Sequence, residues 1–140
     1  MDKKLEKKLF DKYKFLRPTQ DRGIVRRSIN RILYHKKPEF IHDLMVFGFE
    51  CDDGWYELID ALCRNIQFHI NFNNVTRKDL HFKVEQVKEK YGTLRFYYSG
   101  GDDIIYELTS STEELSGHVC EVCGKKGCIS EKKDGSRLCA

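Results

Sequence analysis

The chain is poor in the residues and stretches that mark several protein classes. It has only two prolines among 140 residues, and it has no low-complexity stretch or internal repeat. No apolar run reaches the roughly 18–20 residues that a membrane-spanning helix needs. The first ten residues, MDKKLEKKLF, are basic but lack the apolar centre of a secretory signal peptide. The sequence therefore predicts one soluble globular domain in the cytoplasm, without a membrane partner.

The sequence also lacks the short motifs of common enzymes. It contains neither the phosphate-binding G-x-x-x-x-G-K-[ST] nor the dinucleotide-binding G-x-G-x-x-G. Its histidines are scattered, so position alone assigns no Ser-His-Asp or Cys-His set. We therefore expect a protein that is not an enzyme.

An acidic run is the exception, because paired carboxylates can hold Mg²⁺ for phosphoryl chemistry. Its members surround the start of a predicted helix: Glu50, Asp52, Asp53, Glu57 and Asp60. Acidic residues also stabilise a helix amino terminus through its dipole, and Asp53 could serve as the N-cap. A metal-dependent nuclease using Glu50, Asp52 and Asp53 remains an alternative function.

Charge is strongly segregated along the chain, although the net charge is only +3. Residues 1–37 hold thirteen Lys or Arg against four Asp or Glu, whereas residues 38–63 hold seven acids and no Lys or Arg. Such blocks predict a basic face that can meet a polyanion. The alternative is that acidic and basic blocks neutralise each other within the fold.

Two amphipathic helices are predicted in a basic amino-terminal segment, residues 1–37. The first spans residues 3–16, and the second spans about residues 22–35, before Pro38. The apolar positions of the first helix are Leu5, Leu9, Tyr13 and Leu16.

Residues 38–117 are predicted to form an α+β core. A central helix starts at Trp55, with apolar positions Ile59, Leu62, Cys63, Ile66 and Ile70. Two strands then meet near Tyr91-Gly92, because apolar residues alternate with polar ones after this turn. A last helix, about residues 102–116, has its apolar positions at Ile104, Ile105, Leu108 and Leu115.

The last 23 residues, 118–140, are predicted to bind zinc. The spacing C-x2-C-x4-C-x10-C comes from Cys120, Cys123, Cys128 and Cys139. Four thiolates complete the tetrahedral shell of a structural Zn²⁺ and leave no open position for water or substrate. His118 is an alternative to Cys128 as a ligand, and a redox C-x-x-C or unliganded thiols are the competing readings. Cys51 and Cys63 are a weaker candidate for a nucleophile or a second metal pair, with Cys63 expected in the core.

These elements together predict an α+β fold. Amino-terminal helices precede a central helix packed on a β-hairpin, and a further helix leads to a carboxy-terminal zinc ribbon or knuckle-like element. The hairpin alternates inward Leu94, Phe96 and Tyr98 with Arg95 and Tyr97.

Three stretches resemble an uncharacterised family of small proteins from phages and prophages. They are FGFECDDGWYELIDALCRNIQFHI, VKEKYGTLRFYYSGGDD and CEVCG, and the resemblance covers roughly residues 45–139. It implies a phage or mobile-element origin, and hence the cytoplasm of the host cell, but no reaction. The basic amino-terminal segment lies outside the resemblance.

The basic segment and the hairpin supply the predicted binding residues. The second helix offers Arg22, Arg26, Arg27, Asn30 and Arg31, and the second strand offers Arg95 and Tyr97. Arginine and asparagine contact phosphates and base edges, and exposed aromatic residues beside cations stack on bases. An acidic protein partner, a merely solvated basic face, and a hairpin whose aromatics pack against a helix are the alternatives.

The sequence thus predicts a non-enzymatic, phage-type accessory protein. Its expected partner is a nucleic acid or a host complex that handles nucleic acid, and its expected effect is to counter a host defence system. The alternative is direct inhibition of a host protein through protein–protein contacts without nucleic acid.

Overall fold

The structure, a computed structural model, describes residues 1–19, 43–76, 80–125, 129–131 and 137–139. For residues 73–76 and the last two ranges, only the backbone is described. The second predicted helix, about residues 22–35, therefore lies outside the described residues.

The described elements form an α+β fold, as the sequence predicts. In chain order they are helix α1 (Lys3–Lys12), 3₁₀ turns at Lys14–Leu16, Leu44–Phe47 and Asp53–Trp55, helix α2 (Tyr56–Thr76), strands β1 (Lys83–Lys90) and β2 (Thr93–Ser99), helix α3 (Asp103–Ser116), and strands β3 (Ile129–Glu131) and β4 (Arg137–Cys139). None of the helices in the described ranges is long and apolar enough to cross a membrane.

Helix α1 is shorter than predicted. It begins after Asp2, whose side chain caps the backbone N–H of Lys4, and it ends at Lys12. Tyr13 is extended (φ −121°, ψ 104°), and a 3₁₀ turn follows. With 3.6 residues per turn, a continuous helix would place Phe15 about 120° around the helix axis from the buried Leu9. The break instead buries Phe15 and Leu16 together.

One acidic side chain of α1 is buried, which the lysine-rich sequence does not suggest. Glu6 is 4% exposed, and its Oε1 accepts a 2.9 Å hydrogen bond from the backbone N–H of Phe49. Its Oε2 accepts a 2.7 Å hydrogen bond from Lys3 Nζ. Glu6 therefore joins α1 to Phe49, the residue just before the acidic run that begins at Glu50.

The predicted β-hairpin is confirmed. Tyr91 (φ 54°) and Gly92 (φ 77°) both adopt left-handed backbone, as the mirror-image two-residue turns favoured in hairpins require. The register pairs Lys90 with Thr93 and Val87 with Phe96. One face of the hairpin is buried, through Val84, Val87, Leu94 and Phe96.

Both edges of the hairpin are covered. On the β1 side, the backbone N–H of Glu50 donates to Val87 O, and the N–H of Glu89 donates to Glu50 O, at 3.0 and 2.9 Å. On the β2 side, the N–H of Leu94 donates to Ser116 Oγ at 2.7 Å. The N–H of Phe96 donates to Glu113 Oε1, also at 2.7 Å. Side chains of α3 thus replace a third strand and satisfy an edge that would otherwise be open.

The core lies between the hairpin, α2 and the amino-terminal residues. Its fully buried members include Leu9, Leu16, Trp55, Ile59, Leu62, Ile66 and Ile105, and Cys63 lies among them as predicted. His69 Nε2 and Asp102 Oδ2, 2.7 Å apart, tie α2 to the start of α3.

The prediction of which side of α3 is buried is partly wrong. Ile104 is 52% exposed and Leu115 is 55% exposed, although both were expected in the core. The buried positions are Ile105, Thr109 and Ser116, which repeat at helical spacing along one face. Hydroxyl groups are satisfied on this face, since Thr109 Oγ1 donates to Ile105 O and Ser116 Oγ donates to Glu113 O.

Candidate functional site

One face of the hairpin points away from the core and carries both of the predicted binding residues that the structure describes, Arg95 and Tyr97. Because successive side chains of a strand alternate, the register that buries Val87 and Phe96 places their neighbours on the other face. We call this surface the outer hairpin face. It consists of Gln86, Lys88, Lys90, Thr93, Arg95 and Tyr97.

Cations lie next to aromatic rings at this face. Lys88 Nζ is 5.7 Å from the ring centroid of Tyr97, and Lys90 Nζ is 5.4 Å from that of Tyr91 in the adjoining turn. Both distances are in the range of cation–π contacts. Tyr91 and Tyr97 are exposed, and Arg95, which pairs with Lys88 in the register, is half-buried. The aromatic residues that pack inward are Phe96 and Tyr98.

The predicted binding residues of the basic segment, Arg22, Arg26, Arg27, Asn30 and Arg31, lie outside the described residues. These residues fall within residues 20–42, and the two described residues on either side of this range, Thr19 and Asp43, are in contact. Asp43 Oδ2 accepts hydrogen bonds from the backbone N–H and the Oγ1 of Thr19, at 2.6 and 2.7 Å. The chain therefore leaves and re-enters the described structure at one point.

Asp43 is buried, and its carboxylate is held in the charged form. Burial by itself would raise the pKa of this carboxyl group, but hydrogen bonds from Thr19 and Met45 and the nearby ammonium of Lys83 lower it below its ordinary value. Lys83 Nζ lies 3.5 Å from Asp43 Oδ2. This arrangement joins Thr19 and Asp43 to the first residue of β1.

Three side chains of the acidic run, Glu50, Asp53 and Asp60, make tertiary contacts. Asp53 does not cap α2 but accepts a 2.6 Å hydrogen bond from the backbone N–H of Asp2. Glu50 Oε1 accepts from Gln86 Nε2, and Asp60 Oδ1 accepts from Lys12 Nζ and from the hydroxyl of Tyr13. Across the ranges that the structure describes, no three His, Cys, Asp or Glu side chains form a group that could hold a metal ion.

The cysteines of the core are protected thiols. Burial raises the pKa of Cys51 to about 12, and it raises the pKa of Cys63 well above its ordinary value. The thiolate is the nucleophile and the metal ligand, so the raised pKa values disfavour the reactive form of both side chains.

Cys120 and Cys123 share a tight turn directly after α3. The backbone N–H of Gly124 donates to Cys120 O at 2.8 Å, and the N–H of Cys120 donates to Lys125 O at 3.1 Å. Gly124 has left-handed backbone (φ 72°), which a side chain would disfavour. Cys120 is buried and Cys123 is exposed. We call residues 120–125 the cysteine knuckle.

The other predicted zinc ligands are described only in part. Cys128 lies outside the described residues, and Cys139 belongs to β4, where the register places it opposite Ile129. Residue 139 therefore lies across the β3–β4 pair from the residue that follows Cys128 in the sequence. His118, the alternative ligand, is exposed.

The cysteine knuckle packs against the 3₁₀ turn that starts α2. The backbone N–H of Gly54 donates to Glu121 O at 2.6 Å, and Trp55 Nε1 donates to Val119 O at 2.8 Å. A Cβ atom on Gly54 would lie 2.5 Å from the backbone nitrogen of Gly124. No local pattern in the sequence predicts this contact, and the glycines in DGW and CEVCG are the signal that could have indicated it.

Comparison with known protein families, with curated proteins and with solved structures finds no match for this chain. The resemblance of three stretches to a phage family stays a prediction. What this protein does must be inferred from its residues and their geometry.

Proposed function

We propose that this protein binds single-stranded nucleic acid and does no bond-making chemistry. The observation that carries the proposal is the outer hairpin face, where Tyr97 is exposed beside Lys88 and Arg95. Aromatic side chains stack on bases of any sequence, and neighbouring cations neutralise the phosphates. A duplex keeps its bases stacked inside, so the face suits an unpaired strand better than a double helix.

The basic segment extends this surface in the proposal. Arg22, Arg26, Arg27, Asn30 and Arg31 supply guanidinium and amide groups for phosphates and base edges. These five residues fall within residues 20–42, which Thr19 and Asp43 bound, and Asp43 contacts Lys83 at the first position of β1. The two described residues that bound this range are therefore anchored at the hairpin that carries the outer face.

A structural zinc ion is the cofactor of the proposal. Cys120 and Cys123 leave one tight turn, and Cys139 is placed by the β3–β4 register near the position after Cys128. Four thiolates would close the site. The metal would hold the last residues together and support the turn that starts α2, without taking part in binding.

The biological role that we propose follows from the resemblance of the sequence to phage proteins. A small phage-type protein in the host cytoplasm that occupies nucleic acid, or a host complex that handles it, would deny that partner to a host defence system. The proposal names no sequence preference in the nucleic acid.

Fluorescence anisotropy with a labelled single-stranded oligonucleotide tests the binding function. Tyr97→Ala should weaken binding about fivefold or more, as expected for the loss of one stacked base. Tyr106→Ala is the matched control, because Tyr106 is also an exposed tyrosine but lies on α3. The control should bind as tightly as the unchanged protein.

The salt dependence of binding tests the role of the cations. Arg95→Ala should lower the slope of log affinity against log salt by roughly 0.7, the value for one phosphate contact on a single strand. Arg64→Ala removes the same charge from an exposed position on α2 and should leave the slope nearly unchanged. Equal effects of the two variants, or no binding at all, would refute the proposed surface.

A second candidate function, binding of a host protein, is favoured by one observation. Phe68 and Phe72 are 74% and 62% exposed and lie one turn apart on α2, which is not part of the outer hairpin face. Large exposed aromatic residues are common at protein interfaces. Capture of one defined host protein after nuclease treatment, lost in Phe68→Ser/Phe72→Ser but kept in Tyr97→Ala, would favour this function over nucleic-acid binding.

A further inference from the structure

A cleft of about 400 Å³ opens where the amino-terminal 3₁₀ turn, α2 and the chain entering β1 meet. This volume lies within the range of small-ligand sites. The cleft is distinct from the outer hairpin face, since none of its described lining residues belongs to that face. Leu80–Lys83 form one wall, Lys14 and Phe15 a second, and Gln67 and Ile70 of α2 the third.

One half of the cleft is apolar and aromatic. The rings of Phe15 and Phe82 meet edge to face, with centroids 5.1 Å apart and planes at 71°. Ile70 and Leu80 are partly buried and pack on the core beside these rings. Flat aromatic and aliphatic walls favour a planar group that can be desolvated on both sides.

The rim of the cleft is polar and cationic. Lys14 and Lys83 contribute ammonium groups and His81 an imidazole, whereas no carboxylate is among its described lining residues. Gln67 Nε2 donates to Asn71 Oδ1 at 2.8 Å, which leaves Gln67 Oε1 as an acceptor for a ligand. The rim therefore favours an anion next to a group with hydrogen-bond donors.

Lys83 is fixed in place. Its Nζ donates to Val84 O at 2.8 Å and to Phe15 O at 3.4 Å, and it lies 3.5 Å from Asp43 Oδ2. Burial lowers the pKa of this lysine, while Asp43 opposes the shift. Lys83 therefore shapes the wall, and Lys14 is the more accessible charge for an anion.

The backbone at the rim is held in an unusual conformation. His81 has φ 45°, a left-handed value that costs a non-glycine residue free energy. A Cβ on Gly100 would lie 2.2 Å from His81 O, and the N–H of Gly101 donates to Leu80 O at 2.8 Å. The Gly100-Gly101 turn thus packs against this strained residue. Conformations of this kind occur often at ligand sites.

We infer that this cleft binds one nucleotide, with its base against Phe15 and Phe82 and its phosphate at Lys14. The inference rests on the proposed function, because a bound single strand would supply the nucleotide as an unstacked base. A base offers both a planar surface and edge donors for Gln67, and its phosphate supplies the anion. Enzymes and binding proteins that read a base outside the stack use pockets of this composition.

Amide chemical shifts in ¹⁵N–¹H NMR spectra test the inference with two probes. Adenosine 5′-monophosphate should shift the amide signals of Gln67, Ile70 and residues 80–83, and inorganic phosphate alone should not reproduce the shifts. A single-stranded oligonucleotide should shift both this set and the outer hairpin face. Gln67→Phe fills the cleft without removing a core residue, so it should abolish the mononucleotide shifts. It should also lower the affinity for the oligonucleotide at least about fivefold.

A second variant guards against misfolding. His81→Gly removes the imidazole at a position where left-handed backbone favours glycine, so the variant should fold at least as stably as the unchanged protein. The variant should nevertheless bind adenosine 5′-monophosphate more weakly than the unchanged protein does. Tyr106→Ala, on α3, is the matched control and should leave the mononucleotide shifts unchanged.

The outcomes separate the two proposals. Oligonucleotide binding that is unaffected by Gln67→Phe, with no mononucleotide shifts at the cleft, would refute the nucleotide site at the cleft. The proposed binding at the outer hairpin face would be unaffected by this result. Mononucleotide shifts that Gln67→Phe abolishes, without any oligonucleotide binding, would sustain the cleft and overturn the proposed function. Shifts produced equally by inorganic phosphate would overturn the assignment of a base to the cleft.

Discussion

Trp55 Nε1 donates a 2.8 Å hydrogen bond to Val119 O, one residue before the cysteine knuckle begins. Trp55 is the single tryptophan of the chain and is 1% exposed. Its indole therefore reports directly on the contact between the start of α2 and the residues that lead into Cys120. This contact makes the proposed metal binding at the carboxy terminus measurable in the core.

Removal of zinc should loosen the contact at Trp55. We expect the purified protein to hold one zinc ion, and a chelator should shift tryptophan emission to longer wavelength as water reaches the indole. Binding at a structural site contributes directly to folding free energy, so the melting temperature should fall as well. Cys123→Ser should reproduce both effects, whereas Cys51→Ala should retain its zinc. Protein purified without zinc, with unchanged emission, would disprove the metal site.

Gly54→Ala should destabilise the fold because the added methyl group has no room. Its Cβ would lie 2.4 Å from Glu121 O and 2.5 Å from Cys120 O, both backbone atoms. Forcing atoms into a closely packed site costs about 1–3 kcal/mol, and rigid backbone neighbours favour the upper end. Urea denaturation followed by circular dichroism measures the loss. Gly117→Ala, at a position with ordinary helical backbone, is the matched control and should cost almost nothing.

Glu6→Ala should lower the free energy of unfolding by about 1–3 kcal/mol. The substitution leaves the backbone N–H of Phe49 buried without its acceptor, and the desolvation of that donor is then uncompensated. Glu6→Gln should cost less, because the amide oxygen can still accept this hydrogen bond. Glu107→Ala removes an exposed carboxylate from α3 and serves as the control. Equal stability of Glu6→Ala and Glu107→Ala would contradict the assigned role.

Asp43 should make folding sensitive to acid. Its pKa is lowered in the folded protein from an ordinary value of 3.8, so near this pH the folded protein binds fewer protons at Asp43 than the unfolded chain does. The stabilisation is therefore present above about pH 4 and is lost as the pH falls through the lowered pKa. Asp43→Asn should be less stable at neutral pH and should lose less stability on acidification. Asp11→Asn, at an exposed position, should show the acid dependence of the unchanged protein.

Local sequence patterns correctly predicted the hairpin and the buried side of α2, because both depend on residues that are close together in the chain. The alternation from Leu94 to Tyr98 and the Tyr91-Gly92 turn predicted the hairpin, because side-chain direction in a strand follows its period of two. The apolar repeat from Ile59 to Ile66 predicted the buried side of α2 for the same kind of reason. The α+β fold follows from the order of these elements.

Tertiary contacts decided where that reasoning failed. The apolar stripe of α1 predicts burial of Leu16 but not of Phe15, whereas in the structure the helix ends at Lys12 and both residues are buried. The exposure of Ile104 depends on which side of α3 its neighbours cover. Such choices are made by elements far apart in the chain, so no short window of sequence contains them.

The candidate sites divide in the same way. The sequence by itself determined which chemistry is available: thiolates at zinc spacing, and Arg95 next to Tyr97 on a strand that exposes alternate residues. Only the tertiary structure decided that Gly54 meets Gly124 and that Phe15, Gln67 and Phe82 line one cleft. Residue types and their spacing fix local chemistry, but contacts between distant segments depend on how the whole chain excludes water from one core.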